Sequence, residues 1–362
     1  METASRERDL SPVGLKEIAS ELGLSIGTVH RGLSGKRGIS PATRARVLAL
    51  AEQVGYRPNL AARVLQARRG LRIAVHLPRT AALFWDALRQ GIREAAAAFP
   101  ALEVEFQTYP AAGDGDVALF EYALADRPDG LIVAPGDPAA LAPHLEEAAR
   151  RGLPVVCVGT DTPASPRLLS VCAEPFSIGA VAGELLARFI PGRGEVGVVT
   201  MRSVAHDHAE RLRGFTTRLA AVNPALRLGP IVAVGDDEDE AQGQTRAMLL
   251  AHPKLKGLYI ATSQSLPVLR AAEIAHRLPG LSVVATDLCP GLVEWIRAGK
   301  VAATVDQRPL TQGHVAIRSI YQFLHDRRCP PATQRIVPDV VMGSNLELVL
   351  ERRRAGQPRI DA

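Results

Sequence analysis

Cysteine is scarce in this chain of 362 residues. Four are present, Cys157, Cys172, Cys289 and Cys329, with no CxxC spacing among them. Scattered thiols exclude a disulfide framework and a cysteine-based zinc site, and read as small buried side chains in a reducing compartment. Long apolar runs are also missing, since no stretch approaches the roughly 20 residues that span a bilayer. The opening METASRERDL is charged and lacks the apolar core of a secretory signal. A cytoplasmic location away from any membrane is the expectation. Enzymatic signatures are missing in turn. There is no GxxxxGKS/T loop, Gly192-Arg193-Gly194 is too short for one, and no GxSxG elbow occurs. These absences point away from an enzyme and call for no cofactor.

Apolar residues make up 47% of the chain, enough for substantial cores, and the length suits two or three domains. Charge is unevenly spread. Residues 1–70 carry 12 Lys/Arg against 6 Asp/Glu, whereas residues 71–362 carry 31 against 32. A basic head on a near-neutral body implies that only the head meets a polyanion.

The head is organised around Val13 to Leu65. Leu15, Ile18, Ala19 and Leu22 recur at helical spacing, and Gly23 ends that helix. Ser25 is placed to cap a second short helix with Val29 and Leu33 turned inward. Two helices joined by a tight glycine-containing turn form a helix-turn-helix. Ser40-Pro41 opens a third helix, with proline where its missing N–H is harmless. Val47, Leu48, Ala51 and Val54 are its expected buried stripe. Asn59 is placed to cap a short helix from Leu60 to about Gln66, too short to be stable in isolation.

With TVHR at 28–31 and YRPNLAARVL at 56–65, this stretch resembles the DNA-binding headpiece of the LacI/GalR repressor family. The resemblance implies double-stranded operator DNA as partner, read by a homodimer. The second helix of such a motif enters the major groove. That offers Ser25, Ile26, Gly27, Thr28, His30 and Arg31, with Arg31 able to donate twice to a guanine. Lys36, Arg37 and Arg57 suit phosphate, which positions without specifying. The family's hinge helix forms on DNA and wedges a leucine into the minor groove. Leu65 stands there, after Asn59 and Ala62. His30, Ser34 and Gln66 depart from the family's commoner residues, which bears on the operator sequence and not on DNA binding. The DNA-binding set is thus Ser25, Thr28, His30, Arg31, Ser34, Arg57, Asn59, Ala62 and Leu65, within a domain at 11–67.

From residue 71 onward, short β-branched runs alternate with helical ones. They run from LRIAVHLP at 71–78 to VAATVDQ at 301–307, then a helix at 311–325 and a final strand near 334–342. Such alternation means parallel sheets covered by helices on both faces. The expected fold class is α/β, with a small all-α headpiece. This body resembles the periplasmic-binding-protein-like core of the same family. That resemblance implies two Rossmann-like lobes (type I-like), joined by three crossovers, over 71–350. It puts the first lobe at about 71–170 and 301–333, and the second at about 171–300 and 334–350.

Open α/β sheets bind ligands beyond their strand ends. There the sequence places Asp161, Thr262 and Ser263, Asp287 and Gln307. Arg211 in HAERLRGF matches the family's ligand-binding arginine, and Phe84 and Trp85 follow the first strand, where sugar-binding relatives place rings. Carboxylates, a guanidinium and a flat ring suit a polyhydroxylated effector, a sugar or related polyol. Asp287 as a plain helix cap and either ring as core are the structural alternatives. His206-Asp207-His208 lacks a second cluster to complete a zinc site, so it reads as the start of the helix carrying Arg211, with Asp207 as cap. The sequence leaves three classes: a ligand-responsive transcription regulator, a solute-binding receptor, and an α/β enzyme with a DNA-binding head. The first agrees with the headpiece; the basic headpiece and the absent secretory signal argue against the second, and the lack of a nucleophile–base motif, a metal set and a cofactor loop argues against the third.

Overall fold

The structure is a computed structural model that describes residues 15–33, 39–54, 70–99, 101–202 and 206–354. It divides into two compact units, Met1–Arg68 and Arg69–Ala362. Ser34, Arg57, Asn59, Ala62 and Leu65, and the side chain of His30, lie outside what is described.

The first unit contains α1 (Leu15–Leu22), α2 (Ile26–Leu33) and α3 (Pro41–Gln53). Gly23 adopts φ 63°, the left-handed conformation that lets the chain turn out of α1. Ser25 caps α2 by accepting from the Thr28 N–H at 3.2 Å, and Ser40 caps α3 by accepting from Thr43 at 3.1 Å. Ile18, Ala19, Val29, Val47, Leu50 and Ala51 form the core. Leu48 does not belong to it. It is 48% exposed, because the buried stripe of α3 runs Val47, Leu50, Ala51, and Leu48 sits a hundred degrees round the helix from Val47.

The second unit holds two six-stranded sheets. One draws on β1 (Leu71–Pro78), β2 (Leu102–Tyr109), β3 (Gly130–Val133), β4 (Val155–Val158), β5 (Leu169–Ala173) and β11 (Thr333–Ile336). Its order is β11-β5-β4-β3-β1-β2, parallel throughout. The other draws on β6 (Gly194–Met201), β7 (Leu226–Val234), β8 (Leu255–Ala261), β9 (Ser282–Thr286), β10 (Ala303–Asp306) and β12 (Asp339–Val341). Its order is β12-β10-β9-β8-β6-β7, with β12 antiparallel. Helices α4 (Ala82–Ala96), α5 (Asp116–Asp126) and α6 (Pro138–Arg150) serve the first sheet. Helices α7 (Pro175–Phe189), α8 (His206–Val222), α9 (Glu238–Ala251), α10 (Ser265–Ile274) and α11 (Pro290–Arg297) serve the second. Then α12 (Pro309–Asp326) returns to pack on α4, and α13 (Leu346–Arg354) ends the described chain.

The lobe boundaries differ from those the resemblance implied. β10 pairs with β9 and β12, so residues 303–306 belong to the second lobe and not the first. The expected final strand at 334–342 is two strands in different sheets. Pro338, which has no N–H for a ladder, separates them, and Val337 beside it is 74% exposed. The chain thus passes between lobes at Glu174, at Gln307–Arg308 and at Val337–Pro338.

Two helix pairs pack at backbone contact. A Cβ on Gly91 would lie 2.0 Å from the Leu310 carbonyl oxygen, and one on Gly313 would lie 2.2 Å from that of Leu88. These glycines join α4 to α12. In the second lobe, a Cβ on Gly179 would lie 1.8 Å from the Arg211 oxygen, and one on Gly214 would lie 2.0 Å from that of Phe176. This fixes α8, and with it Arg211, against α7.

Candidate functional site

Between the lobes, at the carboxyl ends of β1, β2, β6 and β8, lies a cleft of about 660 Å³ including its open mouth. Phe84, Trp85, Arg211, Ser263, Asp287 and Gln307 all line it. Phe84 and Trp85 stand edge to face in the first turn of α4, centroids 4.7 Å apart. Gly159 makes room for them, since a Cβ there would lie 2.6 Å from the Trp85 ring.

Across from the rings runs a connected polar chain. Arg211 is 4% exposed. Its Nη2 donates to Gln307 Oε1 at 3.1 Å and lies 3.5 Å from Asp207 Oδ2, one turn earlier on α8. Gln307 Nε2 donates to both Asp287 oxygens, at 3.1 and 2.9 Å, and its backbone N–H donates to Oδ1 at 3.3 Å. Asp287 adopts φ 66°, which aspartate tolerates better than most residues. Its N–H donates to Val305 and its carbonyl accepts from the Thr304 hydroxyl at 2.7 Å, holding it against β10. Burial pushes the Asp287 carboxyl up to about 6, helped by the neighbouring charge of Asp306 and opposed by Arg211 and Gln307.

Asp161 is placed elsewhere. It does not line the cleft: its carboxylate accepts from Arg167 Nη2 and from the Thr162 N–H, each at 2.7 Å, and so braces the loop after β4. Thr262 is buried, its hydroxyl accepting from the Gln264 N–H, and only Ser263 of that pair faces the cleft.

The cleft also takes side chains that strand ends alone did not single out: Tyr109, Thr160, Met201, Asp207 and His208. Asp207 lies in the first turn of α8 and not at its cap. Its spacing of four from Arg211 puts both on one helical face, a signal legible in HDHAER. Burial lowers the His208 pKa, with Asp207 pulling the other way. The Tyr109 hydroxyl donates to the Ala134 carbonyl. Burial raises the Asp236 carboxyl against the effects of Thr80 and His208.

In the first unit, α2 presents Ser25, Ile26 and Gly27 to solvent. The Ser25 and Thr28 hydroxyls lie 2.9 Å apart, and Arg31 Nη2 donates to Thr28 Oγ1 at 3.4 Å. Ser25, Thr28 and Arg31 are thus brought together on one face of the second helix.

The family described as bacterial regulatory proteins of the lacI family matches residues 14–59. The family described as periplasmic binding protein domain matches residues 73–327. Catabolite control protein A of Priestia megaterium is 24% identical over 269 residues, 72% of this chain and 77% of that protein. A D-ribose/D-allose-binding protein of Pseudomonas aeruginosa is 26% identical over 217 residues, 58% of this chain and 67% of that one. A periplasmic solute binding protein from Actinobacillus succinogenes, solved with bound D-allose, superposes with a TM-score of 0.70 at 22% identity. That superposition covers 77% of this chain and 99% of the other, and shows the shared two-lobed fold. The chain belongs to the LacI family of bacterial transcription regulators, a DNA-binding helix-turn-helix domain followed by a periplasmic binding protein domain.

Proposed function

We propose that the chain is a cytoplasmic, dimeric repressor, without enzymatic activity, whose cleft binds a neutral monosaccharide or cyclitol as effector. One observation carries the ligand class. Asp207 Oδ1, His208 Nδ1, Arg211 Nε and Thr160 Oγ1 are all buried without a hydrogen-bond partner, and all four residues line the cleft. Buried polar atoms are rarely left so, because each unmade bond costs about 1–3 kcal/mol. A ligand rich in hydroxyls supplies a donor to Asp207, an acceptor to Arg211 and either to His208 and Thr160. Asp207 and Asp287 balance the charge of Arg211, so the cleft offers no surplus cation to an acidic ligand. The rings of Phe84 and Trp85 give the apolar face that one side of a pyranose needs. The sugar-binding relatives agree with this chemistry, and the headpiece favours a regulator over a transport receptor.

Calorimetry with D-ribose, D-allose, myo-inositol and D-gluconate tests the reading. A neutral ligand is expected to bind, and Arg211→Ala to weaken it about tenfold to a hundredfold, the loss of a buried charged hydrogen bond. Preference for gluconate, or unchanged affinity in Arg211→Ala, would refute it.

A further inference from the structure

The segment Asp306-Gln307-Arg308 carries the chain from β10 in the second lobe to α12 on the first. Gln307 faces the effector cleft, whereas Asp306 and Arg308 line a second cavity of about 610 Å³ including its open mouth. Arg352 and Arg353 of α13 line it too. Its charges do not balance. Arg353 Nη2 lies 2.7 Å from Oδ1 of the buried Asp306, and the half-buried Arg353 also donates to the Leu288 carbonyl at 2.6 Å. Arg352 and Arg308 share one carboxylate, Asp339, and Arg308 reaches it only at 3.8 Å, through Nε. Three guanidinium groups thus meet two carboxylates. The Arg308 side chain is 16% exposed, and its sole ion pair among the described residues is that long one.

We propose that this second cavity is a binding site for a small phosphate ester, held by Arg308 and Arg352 in place of Asp339. A guanidinium presents a planar fork that matches two phosphate oxygens, and two forks address a single phosphate without competing. A phosphate monoester carries about −1.5 to −2 charge at neutral pH and three acceptor oxygens, more than the lone carboxylate it displaces. The wall formed by Ala87, Pro309 and Leu310 has room and apolar surface for the ester's organic part. Because Asp306 and Arg308 flank Gln307, the site lies on the same inter-lobe connection that holds the effector's polar chain.

The probes are inorganic phosphate and glycerol phosphate, titrated into the full chain at constant ionic strength with chloride as balancing anion. Saturable binding is expected for both, tighter for the ester. Arg308→Asn should weaken it at least tenfold, and asparagine tolerates the left-handed backbone at that position, φ 55°. Arg308→Lys should fall between the two. Arg270→Gln, which removes a surface pair with Glu238 away from the cavity, should bind as the parent does. Hydrogen exchange of the parent chain gives a second reading that needs no variant: phosphate should protect amides at the start of α12 and in α13. Chloride or acetate binding as tightly as phosphate, full affinity in Arg308→Asn, or protection confined to other elements would each overturn the proposal.

Discussion

Asp287 shows how much one residue can carry. It takes a left-handed backbone, accepts three hydrogen bonds from Gln307 and keeps a carboxyl pushed up to about 6. An ordinary aspartate titrates near 3.9. The folded state therefore holds this proton more tightly than the unfolded chain does. Stability is gained as pH falls through about 6 towards 4, and lost as it rises again. Asp287→Asn keeps a residue suited to the backbone and removes the titration. Urea melts across that window should show the variant's pH slope flattened relative to the parent. The ligand should respond in the opposite sense: an ionised carboxylate accepts more strongly from hydroxyls than a protonated carboxyl does, so effector affinity in the parent should fall as pH drops below about 6. An identical stability slope in parent and variant would show that Asp287 is not the titrating group.

At the scale of elements, the glycines of α7 and α8 make a sharper test than any side chain. Gly179 has no room for a Cβ beside the Arg211 carbonyl, so Gly179→Ala must push the two helices apart. Overpacking of this kind costs about 1–3 kcal/mol, and here it also displaces the residue that holds Gln307. Effector affinity should fall along with the melting point. Gly243, inside α9 with open space around it, is the contrast. Gly243→Ala should stabilise the fold by about 0.4–1 kcal/mol and leave the cleft unchanged. Equal effects of the two substitutions would mean that helix propensity, and not close approach, governs both. Elements of this kind were largely legible in the sequence. Ser25 and Ser40 announce their caps, and runs such as LRIAVHLP give β1 and LSVVATD the strand β9 because each is a short run with β-branched residues bounded by turn residues. What failed was tertiary. Leu48 is apolar but lies off the stripe that α3 buries. Residues 334–342 look like one strand because local pattern carries no information about which sheet each half joins. The cleft shows the same divide: Arg211, Asp287 and Gln307 were legible from their place after a helix start or strand end, while Asp161 shares that placement and turns instead to Arg167.

The whole molecule couples a basic head, net +6 over residues 1–70, to a body in which 31 basic residues meet 32 acidic ones. Only the head has the charge to displace counterions from DNA, so operator affinity should fall steeply with salt, while effector affinity should hardly move. The body contributes a different quantity. Its lobes are joined at three connections, and one of them contains Gln307, which touches Arg211 and Asp287 together. A ligand that satisfies this chain can act on the head only by binding one degree of lobe closure better than another. Linkage then demands reciprocity. If the effector changes operator affinity by some factor, the operator must change effector affinity by the same factor, typically about 5-fold to 150-fold. Two titrations check this: operator binding by fluorescence anisotropy with and without saturating effector, and effector binding by calorimetry with and without saturating operator. The two ratios should agree. Gln307→Ala should reduce both together, because it cuts the polar chain at the inter-lobe connection while leaving the second helix of the head untouched. An operator affinity that responds to effector in that variant as fully as in the parent would show that coupling runs through another of the three connections.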